Sequence, residues 1–286
     1  MLQLSSTLNT ALAGAVLSLS RCYLITRSDG VQLGFTDHDE NIVIGLITYQ
    51  ARSGFDATNL STNTNLSTDN MELNSVLDSA LISERELATG KYDLARLDIF
   101  DVDWENLPAT LILTPPFNFI PRVINATLGR VEMSDRDYKV EATGRTFKLQ
   151  QKIGSLTSPS CPHDLGNSQC GVNLATYTTS HTVTSVTSRS KFIANNSQAE
   201  GVLYGGVITF TSGLNNGYKD TISANQSNGS ILLFEQAPFN VVIGDTFTAV
   251  KGCDKSRGTC QAKFNNIINF GGFPDVPGAN VYVTGG

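Results

Sequence analysis

The chain has 286 residues and a formal net charge of −6, from 20 Lys plus Arg against 26 Asp plus Glu. Because it carries no basic run, sequence-specific nucleic-acid binding is not expected. Charged residues make up only 16% of the chain, while Ser, Thr, Asn and Gly are abundant. This composition is typical of β-rich proteins with long polar loops, and it suits surfaces that are buried in an assembly. The length is sufficient for two domains, each with its own core.

The N-terminal residues have the spacing of an amphipathic helix. Their apolar side chains recur mostly every three or four residues, so they line one side of a helix. Thr7, Asn9 and Thr10 interrupt the apolar run, and no Lys or Arg precedes it, which argues against a signal peptide or a membrane span. The helix is expected to pack on its own domain or on a neighbour. The apolar positions are Leu2, Leu4, Leu8, Ala11, Leu12, Ala15, Val16 and Leu19.

Strand-like segments follow along both halves of the chain, separated by turn signals. Asp29-Gly30, Asn215-Asn216-Gly217 and Ser227-Asn228-Gly229 each predict a hairpin turn. A short helix is expected where Ser83 and Glu86 form a capping box. The fold class is therefore mainly β, with an N-terminal helix. The predicted strands are 21–26, 31–36, 42–44, 48–51, 92–102, 111–113, 122–133, 138–143, 182–187, 207–211, 217–224, 231–234 and 245–251.

Several features outside the strands could contact partners or substrates. The acidic tip 37–40 is interpreted as a solvated or interface turn, since a catalytic carboxylate needs burial to raise its pKa and this tip is predicted to be exposed. Residues 53–70 form a long polar loop, typical of an interaction loop or a mobile one. Trp104 is predicted to anchor the core. Phe117 and Phe119 fit either a partner contact or buried packing.

The segment 154–160 has the composition of a linker. It predicts a domain boundary near residue 155. The expected domains are therefore 1–155 and 156–286, and both are rich in predicted strands.

Four of the five cysteines lie in two short, turn-rich loops of the second domain, which indicates that the loops meet around something they bind. Two disulfides would need an oxidising compartment. Structural zinc prefers cysteines two to four residues apart, whereas eight and six residues intervene here. A 4Fe-4S cluster takes one thiolate per iron and tolerates wider spacing. Reduced buried cysteines are the remaining possibility, and the one preferred for Cys22. The loop cysteines are Cys161, Cys170, Cys253 and Cys260.

Three groups of motifs carry a family resemblance. The first is Asp29-Gly30 followed by Gly34-Phe35-Thr36-Asp37-His38-Asp39, and the second joins Leu165-Gly166 to Cys170-Gly171-Val172. The third is Gly252-Cys253-Asp254-Lys255, Thr259-Cys260, Lys263-Phe264-Asn265-Asn266, Asn269-Phe270, Gly272-Phe273-Pro274 and Pro277-Gly278. Together these motifs resemble the signatures of siphophage tail-tip hub proteins. That family includes the hub of gene transfer agents and is similar to tail-tip protein L of lambda-like phages.

The resemblance implies an architecture for both domains. The N-terminal half would form barrel-like hub domains at the bottom of the tail tube. The C-terminal half would be an iron-sulfur-binding β domain, with a 4Fe-4S cluster held by Cys161, Cys170, Cys253 and Cys260, and with zinc as the fallback for the same ligands. His163 lies inside the first loop and is a minor candidate ligand. Asn167 stands where family members often have Asp, but it keeps the same turn propensity.

The resemblance also implies partners and a location. Three copies would form a ring, a homotrimer that converts the six-fold symmetry of the tube to the three-fold symmetry of the tip. Its neighbours would be the distal tail protein, the central fibre or tail-tip attachment protein, and the tape measure protein. The expected location is the tail tip of the virion, assembled in the host cytoplasm.

The sequence favours a structural protein and not an enzyme, because it contains no nucleophile elbow, zinc-protease motif or phosphate loop. Two alternatives remain open. An enzyme would use the cluster for redox chemistry or would act on the cell wall, the latter through the acidic tip 37–40. A receptor-binding tail-tip component would present loops 53–70 and 115–121 to the host.

Overall fold

The computed structural model describes residues 3–14, 16–51, 56–57, 70–76, 82–133, 137–144, 154 and 157–276. The chain divides into two compact units, Met1–Gln151 and Lys152–Gly286. The predicted boundary at residue 155 and most of the predicted 53–70 loop lie outside the described residues. Both units are built mainly from strands, which confirms the mainly β fold class.

The N-terminal helix is present but shorter than the apolar pattern predicts. Helix α1 spans Ser6–Leu12 and begins at Ser5, whose Oγ accepts from the Leu8 N–H at 3.3 Å. Leu8 is buried, whereas Val16 and Leu17 are 84% and 57% exposed. Gly14 follows the C-cap residue Ala13, and a glycine inside a helix costs about 1 kcal/mol relative to alanine. Val16 and Leu17 therefore lie outside the helix, and Leu19 begins the first strand.

The first unit contains a sheet whose nine described strands have the order β3-β4-β2-β1-β7-β8-β9-β6-β5. Neighbouring strands are antiparallel, except that β2 and β4 pair in parallel. A second helix, α2 (Glu84–Ala88), begins at Ser83, whose Oγ accepts from the Glu86 N–H as the capping box predicts. The strands are β1 (Leu19–Thr26), β2 (Gln32–Thr36), β3 (Ile42–Ile44), β4 (Ile47–Gln50), β5 (Asp56–Ala57), β6 (Asn70–Val76), β7 (Arg96–Asp103), β8 (Ile120–Met133) and β9 (Asp137–Thr143).

The centre of this sheet is buried on both faces. On β1, Tyr23 and Ile25 enter one apolar cluster, while Cys22 and Leu24 enter another. A strand that is buried on both faces has a continuous apolar run instead of an alternating one. Cys22 is fully buried, as predicted, and burial raises the pKa of its thiol to about 12.

The prediction that Trp104 anchors the core is wrong. Its side chain is 41% exposed and lies beside His38, with ring centroids 5.0 Å apart. Because β7 ends at Asp103, Trp104 begins the turn that leaves the sheet and is not enclosed by neighbouring strands. Phe119 is buried instead, 5.3 Å from Phe100 between ring centroids, so packing is the correct one of its two predicted roles.

The second unit contains a closed barrel with the strand order β10-β11-β14-β13-β12-β15. Aromatic rings fill its interior, since the centroids of Phe192, Phe210 and Phe247 lie 5.6 to 6.0 Å apart. Closure pairs every strand of the barrel on both sides and removes free edges. The strands are β10 (Thr178–Val186), β11 (Lys191–Ala194), β12 (Val207–Phe210), β13 (Lys219–Asn225), β14 (Ser230–Leu233) and β15 (Thr246–Val250).

The position of the barrel differs from what the family resemblance implied. Barrel-like domains were expected in the N-terminal half, but among the described residues the closed barrel belongs to the second unit. The physical reason is the pairing of the first and last strands of that unit, β10 with β15. In the described part of the first unit, the terminal strands of the sheet, β3 and β5, are not paired with each other.

Pairing of β10 with β15 also positions the cysteine loops. Thr178 on β10 lies opposite Val250 on β15. The first loop precedes β10 and the second follows β15, so this pairing brings the two loops to the same end of the barrel.

Every helix in the described part of the chain is too short or too polar to cross a membrane.

Candidate cysteine site

The first cysteine loop, residues 161–170, is shaped by hydrogen bonds to Asn167. The Asn167 Oδ1 accepts from the N–H groups of Gln169 at 3.1 Å and Cys170 at 2.7 Å, and its carbonyl oxygen accepts from Gly171 at 2.8 Å. A carboxamide oxygen therefore does here what an aspartate oxygen would do, since both accept from backbone N–H groups. The departure from the family pattern at this position leaves the turn intact.

The second loop, residues 253–260, follows β15, and its last four residues form the first turn of helix α3 (Arg257–Phe264). A Cβ at Gly252 would overlap the carbonyl oxygen of Tyr204, so only glycine fits immediately before Cys253. Ser256 caps α3 through an Oγ that accepts from the Thr259 N–H at 3.2 Å. Cys260 is buried on this helix.

Backbone and lysine contacts join the two loops. The Cys161 N–H donates to the carbonyl oxygen of Lys255 at 2.9 Å. In return, the Lys255 ammonium group donates to the carbonyl oxygen of His163. The expectation that the two loops meet in space is therefore met by direct contacts.

The other three loop cysteines lie close enough to Cys260 to influence its thiol. Burial raises the pKa of Cys260, and charge on Cys253, Cys161 and Cys170 raises it further. All five cysteines of the chain are free thiols in the structure. The loops therefore gather four unpaired sulfurs in one region, as their positions in the sequence predicted.

A single metal ion and an iron-sulfur cluster need different distances between their thiolate ligands. Zinc needs all its thiolates about 2.3 Å from one point. In the described part of the chain, no group of three or more His, Cys, Asp or Glu side chains is arranged to hold a metal ion. A 4Fe-4S cubane takes one thiolate on each iron, so its ligands stand farther apart than those of one ion.

His163 has a packing role in the structure. A Cβ at Gly271 would overlap the His163 imidazole ring, so this glycine leaves room for the ring. The carbonyl oxygen of His163 is the acceptor for Lys255. The imidazole ring therefore packs against Gly271, and the main-chain oxygen of His163 helps to join the two loops.

Two residues that support the cysteines are not evident from the sequence as site residues. Lys263 donates from its Nζ to the carbonyl oxygens of Gly252 and Val202. Asn266 contacts Cys170 and Cys260. The available signals are the family motif Lys263-Phe264-Asn265-Asn266 and the position of the two asparagines directly after a helix. Asn265 takes the left-handed C-cap position at φ 49°, which leaves the Asn266 side chain available to contact the cysteines.

The acidic tip of the first unit is an exposed turn, as predicted. The Asp37 carboxylate accepts from the Ser20 hydroxyl at 2.8 Å and from the Arg21 N–H at 2.7 Å. The His38 Nδ1 accepts from the Glu40 N–H at 3.0 Å. These contacts are typical of a capped turn.

The chain is similar to known phage proteins over nearly its whole length. Residues 5–173 match a family model described as baseplate hub protein, N-terminal attachment domain. Residues 201–280 match one described as phage conserved hypothetical protein BR0599. A comparison with curated protein sequences finds no match.

A solved structure adds a likeness across both units. A chain of the structure described as the virion of a native gene transfer agent (GTA) particle has a TM-score of 0.82 and 29% sequence identity to this chain. The likeness covers 98% of this chain and 95% of that one. The baseplate hub model alone spans more than half of the chain. The chain therefore belongs to the baseplate hub protein family and is a structural component of a virion tail.

Proposed function

We propose that this chain forms the hub ring of a tail tip, with three copies around the tail axis. The observation that carries the proposal is the likeness to a chain of a gene transfer agent virion over 98% of this chain. The match of residues 5–173 to the baseplate hub attachment domain agrees with it. In this position the ring closes the tail tube and adapts its six-fold symmetry to the three-fold symmetry of the tip.

Exposed apolar side chains on both units suit such an assembly. The most exposed large ones have between 65% and 104% of their surface accessible in the single chain. Single exposed apolar side chains are ordinary on a protein surface, and an assembly would cover those that lie at its contacts. They suit contacts with neighbouring copies, the distal tail protein, the central fibre protein and the tape measure protein. Examples are Leu46 and Leu113 in the first unit and Phe234, Ile243 and Ile268 in the second.

The oligomeric state tests this function. The purified full chain is examined by light scattering after size-exclusion chromatography and by electron microscopy, alone and with the distal tail protein. We expect a ring of three copies that binds the distal tail protein. A monomer that adheres to host cells on its own would favour receptor binding. Release of cell-wall fragments, lost on Asp37→Asn, would favour a wall-acting component.

We further propose that Cys161, Cys170, Cys253 and Cys260 hold a 4Fe-4S cluster with a structural role. The contacts that join the two loops, and the charge of the other three cysteines on Cys260, support this set of ligands. When bound, the cluster would cross-link the two loops. Such a link closes a loop of about 90 residues and contributes about 4 kcal/mol to the free energy of unfolding.

Metal analysis of anaerobically purified protein tests the cluster. We expect about four irons and four acid-labile sulfides per chain, with a broad visible absorbance. Cys161→Ser and Cys260→Ser should lose this content, while Cys22→Ser, a matched change at the buried thiol of the first unit, should keep it. Zinc alone would replace the cluster with a zinc site. Protein free of both metals would overturn the proposed site.

A further inference from the structure

Asn266 occupies the point where the two cysteine loops meet. Its Nδ2 donates to the carbonyl oxygen of Cys170 at 2.6 Å and lies 3.7 Å from the Cys170 Sγ. The Asn266 N–H donates to the carbonyl oxygen of Cys260 at 3.1 Å. Its own carbonyl oxygen accepts from the Cys260 thiol at 3.3 Å. One residue therefore contacts a cysteine of each loop.

A second asparagine sets the orientation of the Asn266 carboxamide. The Asn269 Nδ2 donates to the Asn266 Oδ1 at 2.7 Å. Because a carboxamide has a donor end and an acceptor end, this contact turns the donor end of Asn266 toward Cys170. On the opposite side, Cys170 donates its N–H to Asn167. The N–H, the carbonyl oxygen and the sulfur of Cys170 are thus all contacted by asparagine carboxamides.

The end of helix α3 explains why Asn266 can reach back to Cys260. Asn265 adopts the left-handed conformation, and its N–H donates to carbonyl oxygens of the last turn, those of Cys260 and Gln261. This cap reverses the chain after Phe264. The reversal returns the next residue, Asn266, to the side of the helix that carries Cys260.

We propose that Asn266 is a positioning residue of the cysteine site. It holds Cys170 and Cys260 in a fixed relation, and its Nδ2 tunes the reduction potential of the bound group through the Cys170 sulfur. The tuning rests on the proposed 4Fe-4S cluster, whereas the positioning does not. Hydrogen bonds to the sulfurs are among the factors that set the potential of such a cluster. A donor favours the reduced state because that state carries more negative charge on sulfur.

Thiol reactivity in metal-free protein tests the positioning. The probe is iodoacetamide, with modification of each cysteine followed by mass spectrometry. Asn266→Ala should speed modification of Cys170 several-fold, because it removes the carboxamide that contacts this residue. The contacts with Cys260 are made by the Asn266 main chain and remain in the variant. The control is Asn173→Ala, which also removes an asparagine carboxamide. The Asn173 Oδ1 accepts from the Ala175 N–H at 3.1 Å and has no described contact with a cysteine, so this variant should leave the rates unchanged. Equal rates in all three proteins would overturn the positioning role.

Buried Cys22 serves as an internal reference in the same experiment. Its thiol should stay unmodified in every variant, which separates an effect confined to the second unit from unfolding of the whole chain. If Cys22 reacts as fast as Cys170 in Asn266→Ala, the effect is global and the positioning role is overturned.

Redox titration of iron-loaded protein tests the tuning, with dithionite as reductant and electron paramagnetic resonance as readout. We expect a more negative potential for Asn266→Ala than for the wild type, and a still more negative one for Asn266→Asp, which keeps the shape but replaces the donor with a carboxylate. Asn173→Ala should match the wild type. Equal potentials would overturn the tuning. Wild-type protein without iron would overturn the cluster and the tuning, while the alkylation rates would still decide the positioning.

Discussion

The ammonium group of Lys263 lies 2.9 Å from the carbonyl oxygen of Gly252 and 3.1 Å from that of Val202. Lys263 is on α3 three residues after Cys260, while Gly252 immediately precedes Cys253. One side chain therefore holds together the two segments that present the cysteines of the second loop. Burial lowers the pKa of this amine, although charge on Asp254 and Cys253 acts in the opposite direction.

Replacing this lysine should destabilise the second unit. Lys263→Met removes a charged donor from two carbonyl oxygens, and we expect the free energy of unfolding to fall by about 1–3 kcal/mol. Urea unfolding followed by circular dichroism measures the change. Lys191→Met, at an exposed position of β11, is the matched control and should change stability by less than about 0.5 kcal/mol. Equal stability of the two variants would contradict the proposed role of the contact.

Gly252, immediately before the second loop, and Gly258 within it should respond in opposite directions to alanine. Gly252→Ala places a Cβ against the Tyr204 carbonyl oxygen, and we expect a loss of at least about 1–3 kcal/mol, since backbone must shift. At Gly258, on α3, a Cβ would meet no atom within 4 Å. Gly258→Ala should therefore raise stability by about 0.5–1 kcal/mol through helix propensity. Thermal unfolding of both variants checks the sign of each change.

The aromatic centre of the barrel should dominate the stability of the second unit. Phe247 is fully buried, with its ring centroid 5.6 Å from that of Phe192. Phe247→Ala should cost about 3–5 kcal/mol, because it leaves a cavity among packed rings. The same substitution at Phe234, which is 76% exposed, should change stability by less than about 0.5 kcal/mol. Chemical denaturation of the two variants gives the comparison, and similar losses would show that the barrel interior is not the main core.

The first unit should lose stability in acid through the carboxylates around buried Arg27. The hydrogen bond from Arg27 lowers the pKa of Asp29. Burial opposes ionisation of Glu86, but Lys91 and Arg27 outweigh it and lower its pKa, while the Tyr92 hydroxyl donates to the same carboxylate. Both folded pKa values lie below the unfolded ones, so the stabilisation is present above the unfolded values and is lost as pH falls through the folded ones.

This linkage is measured by urea midpoints at a series of pH values from 7 to about 3, which spans ordinary carboxyl pKa values. The midpoint should fall with pH in the wild type and fall less steeply in Arg27→Met. Arg189→Met is the control, because Arg189 is exposed and its described contacts are to the Pro238 carbonyl oxygen and the Gln236 side chain. An unchanged acid response in Arg27→Met would refute the linkage.

Most strands of the barrel could be predicted because local signals agree with the tertiary structure. The predicted strand 245–251 is observed as Thr246–Val250, between turns and with apolar alternation. Strand β11, Lys191–Ala194, was not predicted, since four residues between polar segments carry too little periodicity. Its conformation is stabilised by pairing with β10 and β14, which are distant in sequence.

The candidate site likewise contains residues that could be predicted from the sequence and residues that could not. Cys161, Cys170, Cys253 and Cys260 could be proposed because one reactive residue type recurs in two short loops. Asn266 could not be assigned a role, since its contact with Cys170 spans 96 positions of sequence and exists only after the loops have met. Trp104 was misplaced for a related reason, because a lone tryptophan at the end of a strand does not reveal whether anything covers it.

The pairing of β10 with β15 imposes an order on maturation. Of the four loop cysteines, Cys161 and Cys170 precede the barrel in sequence, whereas Cys253 and Cys260 follow its last strand. A nascent chain, which emerges with its N-terminus first, cannot complete the set of four until β15 has been synthesised and has docked. Any group that needs all four thiols can therefore be acquired only by a finished barrel, so its presence distinguishes complete subunits from truncated or unfinished ones before they enter a particle.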